Sequence, residues 1–300
     1  MSKGRWNALS FFLFSFTIVP MQSITKKTLT GERAAFKAKD TIFSFCRFED
    51  GESPIKEAHN VEVLNSSFAY KYPLWYGREI KVRNSALEAG ERAGIWYSKD
   101  VSFEDCIIDG VKNFRKCGAL LIKRCVFANA EETLWWNEGV ELDQVEVRNA
   151  AYFGMGSKRL KINKLVLQGN YAFDGCEDLL IENSTLDTKD AFWNCKKITL
   201  KNCRIKGEYF GWNSEEVTLI HCHVESHQGF CYMKKVTLVD CEVENSDLTF
   251  EYCSEINADI TSKLDSLKNP LSGKIRAKEI GEIILDDDAI DHSLTEITTR

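Results

Sequence analysis

The feature that most constrains this chain is a short phrase that returns every 19 to 21 residues. It runs apolar, any, apolar, any, polar, small, any, apolar. It reads VEVLNSSF at Val61–Phe68, VSFEDCII at Val101–Ile108, ITLKNCRI at Ile198–Ile205, VTLIHCHV at Val217–Val224 and VTLVDCEV at Val236–Val243. Copies begin near residues 41, 61, 80, 101, 120, 140, 160, 179, 198, 217, 236, 256 and 275. A fixed step of this length marks units that cannot bury their own apolar face and must stack on one another.

The columns of the repeat say how the units stack. The first and third phrase positions alternate as a half-buried strand does. The fifth favours Asn or Asp (Asn65, Asn84, Asp105, Asn183, Asn202, Asp240), residues that accept a left-handed bend. The sixth is small: Cys46, Ser66, Ser85, Cys106, Cys125, Ser184, Cys203, Cys222 and Cys241. Three residues before each phrase lies a second small column, Gly77, Ser98, Cys117, Ser157, Cys176, Cys195, Ser214 and Cys253. These two columns hold all of the 11 cysteines but Cys231. There is no CxxC pair and no Cys/His cluster at zinc spacing. Cysteines in register therefore read as small buried thiols in a reducing compartment, and neither a metal nor another cofactor is expected.

The expected fold is all-β, a single right-handed parallel β-helix of about thirteen coils of 19–21 residues. The handedness follows from the preferred sense of parallel crossovers. Stacked at ~4.8 Å, such coils make a rod of roughly 60 Å. No window carries a helical period long enough for a helical repeat. A leucine-rich repeat has a similar period, but its LxxLxLxxN phrase does not occur.

The expected division is a leader or upstream extension over 1–22, an N-terminal cap over 23–40, the β-helix over 41–285 and an acidic tail over 286–300. In the first segment, Lys3 and Arg5 precede an apolar run from Ala8 to Val19. The run is too short to span a bilayer but suits a signal-peptide core. The zone Pro20–Ser23 lacks a small-x-small cleavage pattern, and Met21 stands just before the first patterned segment. Initiation at Met21 and a cytoplasmic location are expected, with export as the alternative. A net charge of −6 favours neither nucleic acid nor an anionic membrane.

Five residues before the phrase stands Trp75, Trp96, Arg115, Trp135, Met155, Asp174, Trp193, Trp212, Cys231, Glu251. Tryptophan mixed with charges places this column on the outer face. One place earlier, Leu74, Ile95, Phe114, Leu134, Phe173, Phe192, Phe230 and Phe250 read as inner. Two residues before the tryptophans, on the same outward parity, comes a small column: Pro73, Gly94, Thr133, Ala172, Ala191 and Gly229. Beyond it runs a charged rail of Glu32, Glu52, Lys71, Arg92, Glu131, Lys189, Glu208, His227 and Asp247. Strip, shelf and rail together would form a groove along the axis. Two readings stay open. Either the aromatic groups stack between coils, with Arg115 held between Trp96 and Trp135, or Trp75, Trp96, Arg115, Trp135, Trp193 and Trp212 form a strip that binds a polysaccharide or oligosaccharide.

At these blocks the chain resembles a known family. The blocks are GERAAF (Gly31–Phe36), GESPIKEAHN (Gly51–Asn60), KYPLWY (Lys71–Tyr76), RAGIWY (Arg92–Tyr97), GNYAFDG (Gly169–Gly175), KDAFWNC (Lys189–Cys195), GEYFGWNS (Gly207–Ser214), QGFCY (Gln228–Tyr232) and FEYC (Phe250–Cys253). They are similar to an uncharacterised bacterial family of pectate-lyase-like right-handed parallel β-helix proteins with no assigned function. The resemblance covers about residues 29 to 285 and implies the fold, but carries no catalytic residues. Its members begin near residue 21 and lack a leader.

The NTD, DD and GHG signatures of β-helix polygalacturonases are absent, as are the arginine-centred motifs of pectate lyases. The acids that could serve as catalysts are Asp174, Asp190 and Glu208, which stacking in register would bring near one another. Solvated charges paired with Lys189 and its like are the plainer reading. His227 is a lone histidine, and Asp286–Asp288 reads as a solvated run. Beside the glycan strip stands the alternative of a non-catalytic scaffold that works through protein contacts.

Overall fold

The computed structural model describes residues 20–300, so the leader expected over 1–22 lies, up to residue 19, outside the described residues. Each copy of the phrase is a strand, a corner and the start of a second strand. The first-wall strands pair in parallel with their counterparts one coil away, for example Val61↔Ile80 and Val63↔Val82. Their alternate residues point inward, and Val61, Val63, Ile80 and Val82 are fully buried. After the corner a shorter strand builds a second wall, where Ser67–Phe68 pairs with Ala86–Leu87 and each strand buries one side chain. The third side is a run of turns whose backbone still bonds from coil to coil, as in Leu74 N–H to Gly94 O at 2.8 Å and Tyr97 N–H to Arg115 O at 2.9 Å. The result is a right-handed parallel β-solenoid, all-β, with one continuous core along its axis.

Among the described residues, fifteen strands run down the first wall, from Gln22–Thr25 to Thr295–Thr299, rather than thirteen. The two extra strands lie at the ends, in segments read from the sequence as cap and tail. They lack the Cys and Asn columns, and pairing needs only backbone groups. The acids before the last strand are partly engaged: Asp286 accepts from Asn269 Nδ2 at 2.7 Å and Asp287 from Tyr252 Oη at 3.1 Å. No helix among the described residues is long and apolar enough to cross a membrane.

The corners are where the sequence is put to unusual use. The fifth phrase position is left-handed as expected, with φ of 49° at Asn65, 47° at Asn84, 56° at Asp105 and 52° at Asn202. Residues with no such preference follow suit, Arg124 at 48° and Lys164 at 55°. In that conformation the corner N–H points along the axis, so Asn84 donates to Glu104 O at 3.1 Å and Asn202 to Ile220 O at 3.0 Å. A left-handed L-residue costs about 1–2 kcal/mol, and the continuous backbone bonding offsets it. Ala119, exposed at φ 51°, has no side-chain partner to set against that cost. Ala119→Gly is therefore expected to raise stability by about 0.5–1 kcal/mol, the reverse of the usual effect, read from the urea midpoint at unchanged slope.

The small columns satisfy the backbone at these bends. Ser66 Oγ donates to Leu64 O at 2.7 Å and accepts from Cys46 N at 2.9 Å, one coil away. In the second small column Ser214 Oγ donates to Phe192 O at 2.6 Å and accepts from Cys195 N at 2.8 Å. Asn137 fills the same slot, donating to Phe114 O at 2.7 Å and accepting from Cys117 N at 2.8 Å. A thiol can do the donor half of this work, and Cys203 Sγ lies 3.2 Å from Lys201 O. All eleven cysteines are buried and unpaired. Burial pushes the Cys117 and Cys195 thiols up to about 12, which keeps them protonated and unreactive.

Candidate functional site

The third side carries the tryptophan column, the charged rail and the candidate acids, and left-handed residues decide how it is laid out. Tyr72 (φ 60°), Ala93 (53°), Lys112 (61°), Glu132 (49°) and Asp190 (55°) lie three residues before the tryptophan column. Each inverts the simple in–out alternation. The small column Pro73, Gly94, Thr133, Ala172, Ala191, Gly229 therefore points inward and is buried, contrary to the outward shelf expected from parity. Without that shelf there is no stepped groove between the tryptophans and the rail. The inner column is as read, with Leu74, Ile95, Phe114, Leu134, Phe173, Phe192, Phe230 and Phe250 all at 1% exposure or less. From Phe153 through Phe173, Phe192, Phe210 and Phe230 to Phe250 the rings follow one another coil by coil, at centroid spacings of 5.1–5.9 Å.

Trp75, Trp96, Arg115, Trp135, Trp193 and Trp212 are brought into one column, half-buried between coils. Their planes face along the axis, toward each other. Trp75 stacks on Trp96 with centroids 5.0 Å apart and planes 7° from parallel. The Arg115 guanidinium lies 5.1 Å from the Trp96 ring centre and 4.1 Å from that of Trp135. Both faces of Trp96 are thus covered by protein. Four of the five indole N–H groups, all but that of Trp212, are committed as well: Trp75 donates to Ala93 O at 2.5 Å, Trp96 to Lys112 O at 2.7 Å, Trp135 to Tyr152 O at 2.6 Å and Trp193 to Tyr209 O at 2.8 Å. Arg115 plays the same part, donating to Glu132 O at 2.9 Å and to its carboxylate at 2.7 Å. That pairing, first with Arg115 and then with Lys112, holds Glu132 below the usual carboxylate range.

Asp174, Asp190 and Glu208 stand in three different columns, yet Asp190 and Glu208 are neighbours on adjacent coils, where Asp190 N–H donates to Glu208 O at 2.9 Å. Asp174 accepts from Asn194 Nδ2 at 3.0 Å. Glu208 pairs with Lys189 at 2.8 Å and is held below its usual range by that bond. Asp190 is buried, and desolvation lifts its carboxyl above the ordinary value against the pull of Lys189 and Tyr171. The rail pairs with itself along the axis, Lys71 with Glu52 at 3.4 Å and His227 with Asp247 at 2.6 Å. A cavity of about 400 Å³ beside Lys189, Glu208 and His227 is lined largely by such paired charges, Lys189 with Glu208 and Lys206 with Glu225.

Two features escaped the sequence reading. One residue after the tryptophans runs an exposed column, Tyr76, Tyr97, Trp136, Tyr232 and Tyr252, flagged in the sequence only by the doublets WY and WW. Tyr252 is the half-buried member. The other is Glu91, fully buried in a coil corner. Its Oε2 accepts from Asn113 Nδ2 at 2.9 Å, while Oε1 has no hydrogen-bond partner. Gly94 and Gly110 press so closely on the carboxylate that neither has room for a Cβ. Burial pushes this carboxyl up to about 8.

The family described as protein of unknown function (DUF3737) matches over residues 22–298. No curated protein matches the chain. Among solved structures it is similar to HetL, a pentapeptide repeat protein involved in heterocyst differentiation regulation in the cyanobacterium Nostoc sp. strain PCC 7120. The two share 8% identity over 76% of this chain and 86% of that one, with a TM-score of 0.27. It is similar also to QnrB1, a plasmid-mediated fluoroquinolone resistance protein, at 12% identity over 75% and 92% of the two chains and a TM-score of 0.24. PfbA, a surface adhesin of Streptococcus pneumoniae, matches at 8% identity over 88% and 84%, with a TM-score of 0.29. Likenesses this distant carry no function across. What the strand pairing shows of the expected pectate-lyase-like fold is the broader architecture, a parallel β-solenoid.

Proposed function

We propose, from the premise that the chain belongs to the DUF3737 family of unknown function, that it is a non-catalytic interaction scaffold, a stiff solenoid that offers its outer columns to other proteins. One observation supports this reading: from Trp75 through Arg115 to Trp135 the column is used up in holding coils together. Trp96 has Trp75 on one face and Arg115 on the other, and its N–H is bonded to the next coil. A pyranose needs a free indole face, and this column turns mostly ring edges to solvent. The looser end, where Trp193 and Trp212 lie 6.1 Å apart at 36°, is where a sugar would have most room.

Glycan-array binding and folding stability, measured on Trp193→Ala and Trp212→Ala, separate the two readings. On the scaffold reading each substitution lowers stability by about 1–3 kcal/mol, and there is no glycan signal to lose. Glycan binding that either substitution abolishes at unchanged stability would sink it. So would a lyase or hydrolase activity lost on Asp190→Asn.

A further inference from the structure

Two residues before each phrase the first wall carries an exposed row, and its two halves follow different rules. From Glu138 onward the residues in register alternate in sign: Glu138, Lys158, Glu177, Lys196, Glu215, Lys234. Neighbours pair across coils, Lys158 with Glu177 at 2.8 Å and Lys196 with Glu215 at 3.2 Å. Alternation is the expected solution, because like charges set directly opposite on adjacent strands repel. Earlier in the chain the same row reads Lys39, His59, Arg78, Lys99, with no acid, before Gly118 interrupts it. All four are exposed. His59 meets Glu79 at 3.7 Å, whereas Lys39, Arg78 and Lys99 make no ion pair with the described residues.

The adjoining columns carry both signs: on the tyrosine side Lys56 and Lys116 are cationic, and the one acid there, Glu57, is paired with Lys37 at 3.5 Å. Tyr76 and Tyr97 stack with centroids 5.1 Å apart at 8°, capped at 5.6 Å by Lys56 on one side and Lys116 on the other. The acids Asp40, Glu79 and Asp100 lie on the opposite flank of the row, and Asp40 is engaged by Asn60 Nδ2 at 2.7 Å. A stripe of cations bordered by tyrosine edges thus runs over four coils, roughly 15 Å at the strand spacing. The fold does not need it, since the other half of the row manages without one.

We infer that this stripe is the docking surface for an extended acidic segment of a partner protein. The inference rests on the scaffold reading and supplies its partner chemistry. Charge complementarity selects an anion, and the covered tyrosine faces select which kind. Single-stranded nucleic acid is held by bases stacking on open aromatic rings, and here both outer ring faces are taken by lysines. Carboxylates need only the cations and the phenolic edges. At about 3.3 Å per residue, four or five extended residues span the stripe.

The test is fluorescence anisotropy with a fluorescein-labelled decapeptide of alternating Glu and Ser, competed by oligothymidylate and by oligogalacturonate. The wild type is expected to bind the peptide more weakly as salt rises. Arg78→Glu sets an acid between His59 and Lys99, as the rest of the row sets one between its lysines. It is expected to lower affinity about tenfold while leaving the melting temperature unchanged or higher. Lys161→Glu with Lys197→Glu, the same kind of charge change elsewhere on the wall, should leave binding intact. No binding to the wild type, binding unaffected by Arg78→Glu, equal loss in the control variant, or tighter binding of either competitor would each overturn the inference. Only tighter binding of oligogalacturonate would count against the scaffold reading as well; the other results leave the glycan-array and activity measurements untouched, so the stripe can fail while the scaffold reading stands.

Discussion

Phe192→Ala is expected to destabilise the protein by about 3–5 kcal/mol, the largest effect of any single change considered. Phe192 is fully buried, stacked on Phe173 at 5.4 Å and 12°, and tilted against Phe210 at 5.4 Å. Its removal opens a void in the middle of the phenylalanine ladder that rings above and below cannot close, because the backbone bonds between coils fix their spacing. In a solenoid each coil touches only its neighbours, so the loss is local. Urea unfolding followed by circular dichroism should therefore show an earlier transition and a broken two-state shape. A single transition displaced by less than about 1 kcal/mol would mean that the ladder repacks.

A second large effect is expected at Glu91. Its carboxyl titrates at about 8 in the folded chain, because burial penalises the charge, and at an ordinary 4.5 once unfolded. Between those values the folded state holds a proton that the unfolded state has lost. Stability is therefore greatest below about pH 4.5 and falls by up to about 1.4 kcal/mol per unit as pH rises toward 8. Glu91→Gln keeps the shape and removes the titration. The variant should lack that slope and be the more stable protein at pH 8, by on the order of a few kcal/mol. Melting temperatures of both proteins from pH 5 to about 9 check this. Parallel profiles would place the Glu91 carboxyl in contact with water.

How much of this was legible in the sequence depends on which side of the coil is considered. The two walls were readable because Val61, Val63 and Phe68 bury by simple spacing, and because Asn65 or Asn84 announces its left-handed corner. The third side was not. There Tyr72, Lys112 and Glu132 are left-handed without belonging to the types that prefer it, so counting alternate residues put Pro73 and Thr133 on the wrong face. The terminal strands Gln22–Thr25 and Thr295–Thr299 carry too few core residues to match the phrase. Within the candidate site, the stacking of Arg115 between Trp96 and Trp135 was one of two readings the sequence left open. The direction of the indole N–H, which commits the column to the fold, has no signature in residue types. Glu91 stood outside every column and left no periodic trace.

The alternating row from Glu138 to Lys234 also sets how the rod can change length. Its pattern repeats every second coil, so deleting one coil from that half would bring Lys beside Lys or Glu beside Glu. Deleting two would leave every pair intact. The backbone repeats once per coil, but the charges repeat once per pair. In this half of the protein the natural quantum of insertion, deletion or engineered shortening is a double turn.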